Sequence, residues 1–164
     1  MKKRKKHNII IAGIAIVLVS GIIGYNYYID QVKQKGLVFG NELEQIQGDV
    51  KELQTQFYSK ITEWEEGDIT KQELLESLEV HVSDFKDTIP RYDRLEPPEP
   101  FTTAVELFKL SSQTQLESDI QYIEWLKTGD NAYKTRSDLQ LKESFDYEMA
   151  ALSEFNAAKA GLKP

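Results

Sequence analysis

From Ile9 to Ile29 the chain runs for 21 residues without a charge: IIIAGIAIVLVSGIIGYNYYI. As a helix this run is ~31 Å long, against a bilayer hydrocarbon core of ~30 Å. Eleven of its residues are Ile, Leu or Val, each favouring insertion by roughly 0.3–0.6 kcal/mol near the bilayer centre. Only Ser20 and Asn26 oppose insertion. Gly13 and Gly21 are too far apart to form a GxxxG dimer face. The run reads as a single transmembrane anchor.

Charge sets its orientation. Lys2, Lys3, Arg4, Lys5 and Lys6 precede the run and Asp30 follows it. The positive-inside rule places residues 1–8 in the cytoplasm as a basic tail and everything after Asp30 outside. Tyr25, Tyr27 and Tyr28 then fall at the outer membrane interface, where phenol rings favour the boundary between apolar and wet. The rival reading is a cleaved signal peptide, for which Val19-Ser20-Gly21 is a poor cleavage signal because it lies inside the apolar run. Both readings deliver the body to an extracytoplasmic space. The chain has no cysteine and no Asn-x-Ser/Thr sequon, a combination that fits a prokaryotic cell surface.

The remainder of the chain is acidic. Of 20 Lys+Arg, five sit in residues 1–6, leaving 15 against 27 Asp+Glu, a net charge of −12. Such a body is a poor ligand for nucleic acid, which needs a basic face. The lack of cysteine excludes a disulfide scaffold, thiolate metal sites and a cysteine nucleophile.

Apolar spacing divides the body into four helices, over residues 41–66, 71–94, 101–128 and 131–160. The first carries Leu43, Ile46, Val50, Leu53, Phe57, Ile61 and Trp64 at steps of three and four, one stripe on a helix. Glu66-Gly67-Asp68 ends it. Thr70 and Glu73 form a capping box for the second helix, whose stripe is Leu74, Leu78, Val82, Phe85, Ile89 and Tyr92, with a kink or restart expected at Pro90. Leu95-Glu96-Pro97-Pro98-Glu99-Pro100 is a stiff connector. The third helix shows Phe101, Val105, Phe108, Ser112, Leu116, Ile120 and Ile123, and Ser111 and Ser112 leave room for a neighbour to pack close. Asp130 caps the fourth, whose looser stripe is Ala132, Leu141, Phe145, Met149, Leu152 and Phe155. Gly161 is expected just past its end. Residues 30–40 read as a juxtamembrane linker, hinged at Gly36 and Gly40, or as a continuation of the first helix.

These lengths, estimated at ~24–30 residues each, predict an all-α fold: an N-terminal transmembrane helix followed by an antiparallel, up-down-up-down four-helix bundle. The segments Ile61–Asp68 and Ile123–Asp130 echo one another in Trp and Gly-Asp, as expected from internal duplication or from shared turn chemistry.

No catalytic constellation appears, and neither an enzyme, a cofactor nor a metal centre is expected. A calcium loop centred on Gly67 fails because Thr62 and Trp64 stand where carboxylates are needed. His81, the one histidine of the body, sits at the edge of its stripe and reads as a satisfied or rim residue. Leu78 stands where a Glu-x-x-His di-iron motif requires Glu. The expected interaction surface is the distal pole, where Trp64, Glu65, Glu66, Asp68, Trp125 and Asp130 would gather. The partners expected are the lipid bilayer and a protein at the cell surface. The regular seam of the first helix offers a homo-oligomer as an alternative. Function on this reading is non-enzymatic, as a scaffold or accessory subunit. The alternative is an extracytoplasmic ligand-binding or sensing domain, which needs a separate transducer because only eight residues precede the run.

Overall fold

Apolar stripes and capping chemistry together account for four long helices in a computed structural model, which describes residues 35–161. The helices are α1 (Lys35–Glu66), α2 (Lys71–Thr88), α3 (Thr102–Thr128) and α4 (Asn131–Gly161). No strand occurs among the described residues. The apolar run 9–29, its flanking lysines and arginine, and Tyr25, Tyr27 and Tyr28 lie outside them. Among the described residues no helix is long and apolar enough to cross a membrane.

Helix ends follow local chemistry. Gly67 takes a left-handed φ of 85° and donates its N–H to the Trp64 carbonyl while Asp68 N–H reaches Glu63, a Schellman closure. Thr70 and Glu73 form the anticipated capping box. Gly129, at φ 74°, donates to the Trp125 carbonyl at 2.8 Å, the simpler left-handed cap. Asp130 Oδ1 then accepts the Ala132 N–H at 2.9 Å and starts α4. The two tryptophan-glycine turns therefore close by different hydrogen-bond patterns.

Three boundaries differ from the sequence reading. Within the described residues α1 runs from Lys35 through Gly36 and Gly40, the continuation of the first helix that the sequence allowed in place of a hinge. α2 stops at Thr88, and Ile89–Arg94 winds as a tighter 3₁₀ helix, because Pro90 offers no N–H to an α-helical ladder. The helices are accordingly unequal, with 32, 18, 27 and 31 residues. Gly161 is the last residue of α4, not the residue beyond it.

Contacts run in opposite senses along neighbouring helices. Between α1 and α2 they join Phe57 to His81 and, past the end of α2, Asp49 to Arg91. Between α2 and α3, His81 meets Asp119 and Glu79 meets Lys127. The α3–α4 pair is the most intimate. Ser111 Oγ donates to the Ser144 carbonyl and Ser118 Oγ to the Ser137 carbonyl, each at 2.8 Å. Ala104, Ser111 and Ser118 recur every seven residues, as do Ser137, Ser144 and Ala151. Side chains this small let the two backbones approach closely, since interaxial distance is set by the residues at the contact.

That seam overturns part of the expected stripe of α4, of which Leu152 and Phe155 are buried as expected. Ala132 and Met149 face solvent, whereas Ser137, Ser144, Glu148, Ala151, Leu152 and Phe155 face inward. Large apolar groups do not fit where the helices touch, so the small and polar residues take the inner positions.

Two apolar clusters occupy the ends. At the end holding the helix turns, Phe57, Ile61, Leu74, Leu78, Tyr122, Ile123 and Leu126 pack together. At the other, Phe39 and Phe155 flank Phe101 of the connector, with ring centroids 5.7 and 5.1 Å away, among Leu43, Ile46, Tyr92, Leu95, Val105, Phe108 and Leu152.

Candidate functional site

Between these clusters lies a belt of buried polar side chains drawn from all four helices. At its centre Asp119 of α3 is 1% exposed. Its Oδ2 meets His81 Nε2 of α2 at 2.9 Å and accepts from Gln54 Nε2 of α1 at 3.1 Å, and its Oδ1 accepts from Gln115 Nε2 at 3.0 Å. Ser144 of α4 donates to Gln115 Oε1 at 3.1 Å, and the Tyr58 phenol also engages Gln115. Burial raises the pKa of Asp119 from its ordinary value, opposed by His81, Gln115 and Gln54. Three nitrogens on two carboxylate oxygens offset much of the cost of placing a charge there.

His81 is itself buried, packed against the rings of Phe57 and Phe85 at 4.8 and 5.6 Å, and its Nδ1 has no hydrogen-bond partner. It is a core residue joining α2 to α3, not a rim residue.

A second polar group lies nearer the connector. Gln47 Nε2 donates to the Tyr92 hydroxyl at 2.8 Å, which leaves the phenolic proton for Ser112 Oγ at 3.0 Å. Burial raises the Tyr92 pKa, and so does the charge of Glu148 on α4. Glu148 is 6% exposed, and its Oε1 has no hydrogen-bond partner. Burial alone pushes its pKa up to about 7. Tyr58 and Tyr122 are likewise raised, chiefly by burial, and stay neutral.

At the end that holds the two tryptophan-glycine turns, Trp64 and Trp125 pack half-buried against the same apolar cluster. Glu65, Glu66, Asp68 and Asp130 are exposed. The indoles thus contribute to the core as well as to the surface, and Asp130 is engaged as a helix cap. Elsewhere an open groove of about 400 Å³ runs between α2 and α3, with Ile89, Pro90, Leu110, Leu116 and Ile120 as floor and Lys86 and Glu117 at its edge. Among the described residues no group of three or more His, Asp or Glu is placed to hold a metal ion.

The sequence reading overlooked Asp119, Gln115, Gln54, Tyr92's hydrogen-bonding role and Glu148. The seven-residue recurrence of Ala and Ser in the last two helices would have pointed to Asp119 and Glu148. It fixes the faces of α3 and α4 that meet, and Asp119 follows Ser118 while Glu148 lies one turn after Ser144.

No protein-family model, curated protein or solved structure matches this chain.

Proposed function

We propose that the protein is a single-pass membrane protein that displays an acidic, up-down-up-down four-helix bundle outside the cytoplasm, and that it acts by binding a partner rather than by catalysis. The anchor is residues 9–29, with the basic tail inside and residues 41–160 outside at a prokaryotic cell surface. The observation that carries a binding role is the disposition of polar groups. The polar side chains with chemical potential, His81, Asp119 and Glu148, are sealed in the core. Glu65, Glu66 and Asp68 are exposed in the turn that follows Trp64, and Trp64 and Trp125 lie half-buried against one apolar cluster. Half-exposed aromatic groups within a charged rim are a common composition for protein contacts. Helix contacts of opposite sense support the bundle topology. With α1 leading away from the anchor, this pole is the one farthest from the membrane.

Crosslinking in intact cells, followed by mass spectrometry, tests the role. The native chain is expected to capture a membrane or surface protein, and the triple variant E65K/E66K/D68K is expected to lose it while keeping its helical content. These three side chains are exposed, so the variant leaves the core intact. Recovery of no partner by the native chain, or equal recovery by the variant, contradicts the proposal.

The second reading, an extracytoplasmic sensor working with a separate transducer, draws on the α2–α3 groove, whose mainly apolar lining, with Lys86 and Glu117 among it, suits a small amphipathic ligand. A thermal-shift screen of the full chain against metabolites separates the two, because only the sensor reading requires a shift that Leu110→Glu removes.

A further inference from the structure

Glu148 stands where a carboxyl group has no structural reason to be. It lies on the inner face of α4, one turn past Ser144 and one turn before Ala151 and Leu152, and its Oε1 is buried without a partner. No element among the described residues offers it a compensating charge in an ion pair. The 3₁₀ segment contributes the neutral Tyr92 phenol, already bonded to Gln47 of α1 and Ser112 of α3. Arg91 of the same segment is turned to Asp49 of α1. Lys109 of α3 is held by Asp93 at 2.5 Å. On α4 itself Lys142 pairs with Asp146. None of the ion pairs among the described residues includes Glu148. A carboxylate at that position would face the Tyr92 hydroxyl with an unanswered charge, and the least costly relief is for the last turns of α4 to move and admit water.

We propose that Glu148 is a pH-sensitive latch on the C-terminal half of α4: protonated, it lets Ala151, Leu152 and Phe155 close the connector end of the bundle, and ionised, it releases them. The inference is independent of the partner at the distal pole. The direction follows from linkage. The ordinary carboxyl value is 4.5 and the buried one is about 7. Stabilisation from the closed latch is therefore complete below pH 4.5 and is lost as pH rises through about 7. An extracytoplasmic domain would meet such pH changes directly, so the latch would couple external acidity to the closure of the bundle.

Hydrogen–deuterium exchange of the full chain in detergent micelles tests this, with rates corrected for the intrinsic effect of pH. Between pH 5.5 and 8.5 the opening equilibrium of residues 148–161 is expected to rise roughly 30-fold, from the two carboxyl values and linkage, while residues 61–78 at the distal end stay protected. Glu148→Gln is expected to hold residues 148–161 closed throughout. Glu148→Met serves the same purpose should the glutamine variant not fold. A flat native profile, a profile that persists in the variant that folds, or equal opening of the distal residues overturns the proposal.

Discussion

Replacing His81 by leucine would leave a fully buried carboxylate at Asp119 held by two glutamine amides alone. Breaking a buried pair from one side costs about 3–5 kcal/mol, whereas replacing both partners by apolar groups is far milder. H81L is therefore expected to lower stability by about 3–5 kcal/mol, and H81L/D119L by clearly less, in urea unfolding followed by circular dichroism. A double variant as unstable as the sum of its singles would show that the two side chains do not act as a unit. Tyr92→Phe removes the hydroxyl that accepts from Gln47 and donates to Ser112, and a loss of about 1–3 kcal/mol is expected. These residues were hard to read from sequence for a physical reason. A lone Asp or Glu in a chain with 27 acids is almost always solvated, and only the Ala and Ser recurrence beside it, not its own spacing, marks the one that a neighbouring helix covers. His81 was legible as a face position, because it adjoins Leu78, Val82 and Phe85, but its partner comes from another helix 38 residues away.

At the scale of helices and turns, glycine separates two kinds of position. Gly67 adopts φ 85°, a conformation that a side chain strains, whereas Gly48 lies within α1 with open space where a Cβ would stand. G67A is expected to destabilise by about 1 kcal/mol and G48A to stabilise by about 0.5–1 kcal/mol, both read from shifts in the thermal midpoint. The α3–α4 seam makes a sharper demand. Ser144→Leu would place a branched side chain where the Ser111 hydroxyl meets the α4 backbone, and overpacking there is expected to cost about 1–3 kcal/mol. Elements of this size were largely legible. Of the apolar steps of α1, Leu43, Ile46, Leu53, Phe57 and Ile61 are buried and Val50 is partly buried, and the Thr70–Glu73 box and the Asp130 cap form as their side-chain chemistry dictates. Where the reading differs, in the inner face of α4 and the end of α2, one cause is tertiary and the other local. Close backbone approach reversed the usual preference for large apolar groups in part of α4, and at Pro90, where a kink or restart is expected, the α-helix gives way to a 3₁₀ turn.

At the scale of the molecule, two apolar ends enclose a middle where a polar belt lies beside a third apolar cluster of Leu53, Phe85, Ile89 and Leu116, and the outside is strongly acidic. This division concentrates chemistry where solvent does not reach and leaves recognition to the exterior, which is the basis for proposing a displayed binding bundle. Its orientation across a membrane rests on residues 9–29 and the lysines before them, read from hydropathy and charge alone. The natural absence of cysteine makes that orientation directly measurable. Single cysteines at Lys3 and at the exposed Glu66 can be challenged in intact spheroplasts with a maleimide that does not cross membranes. The account predicts that Glu66→Cys is labelled at once and Lys3→Cys only after permeabilisation; labelling of Glu66→Cys that also waits for permeabilisation would contradict it.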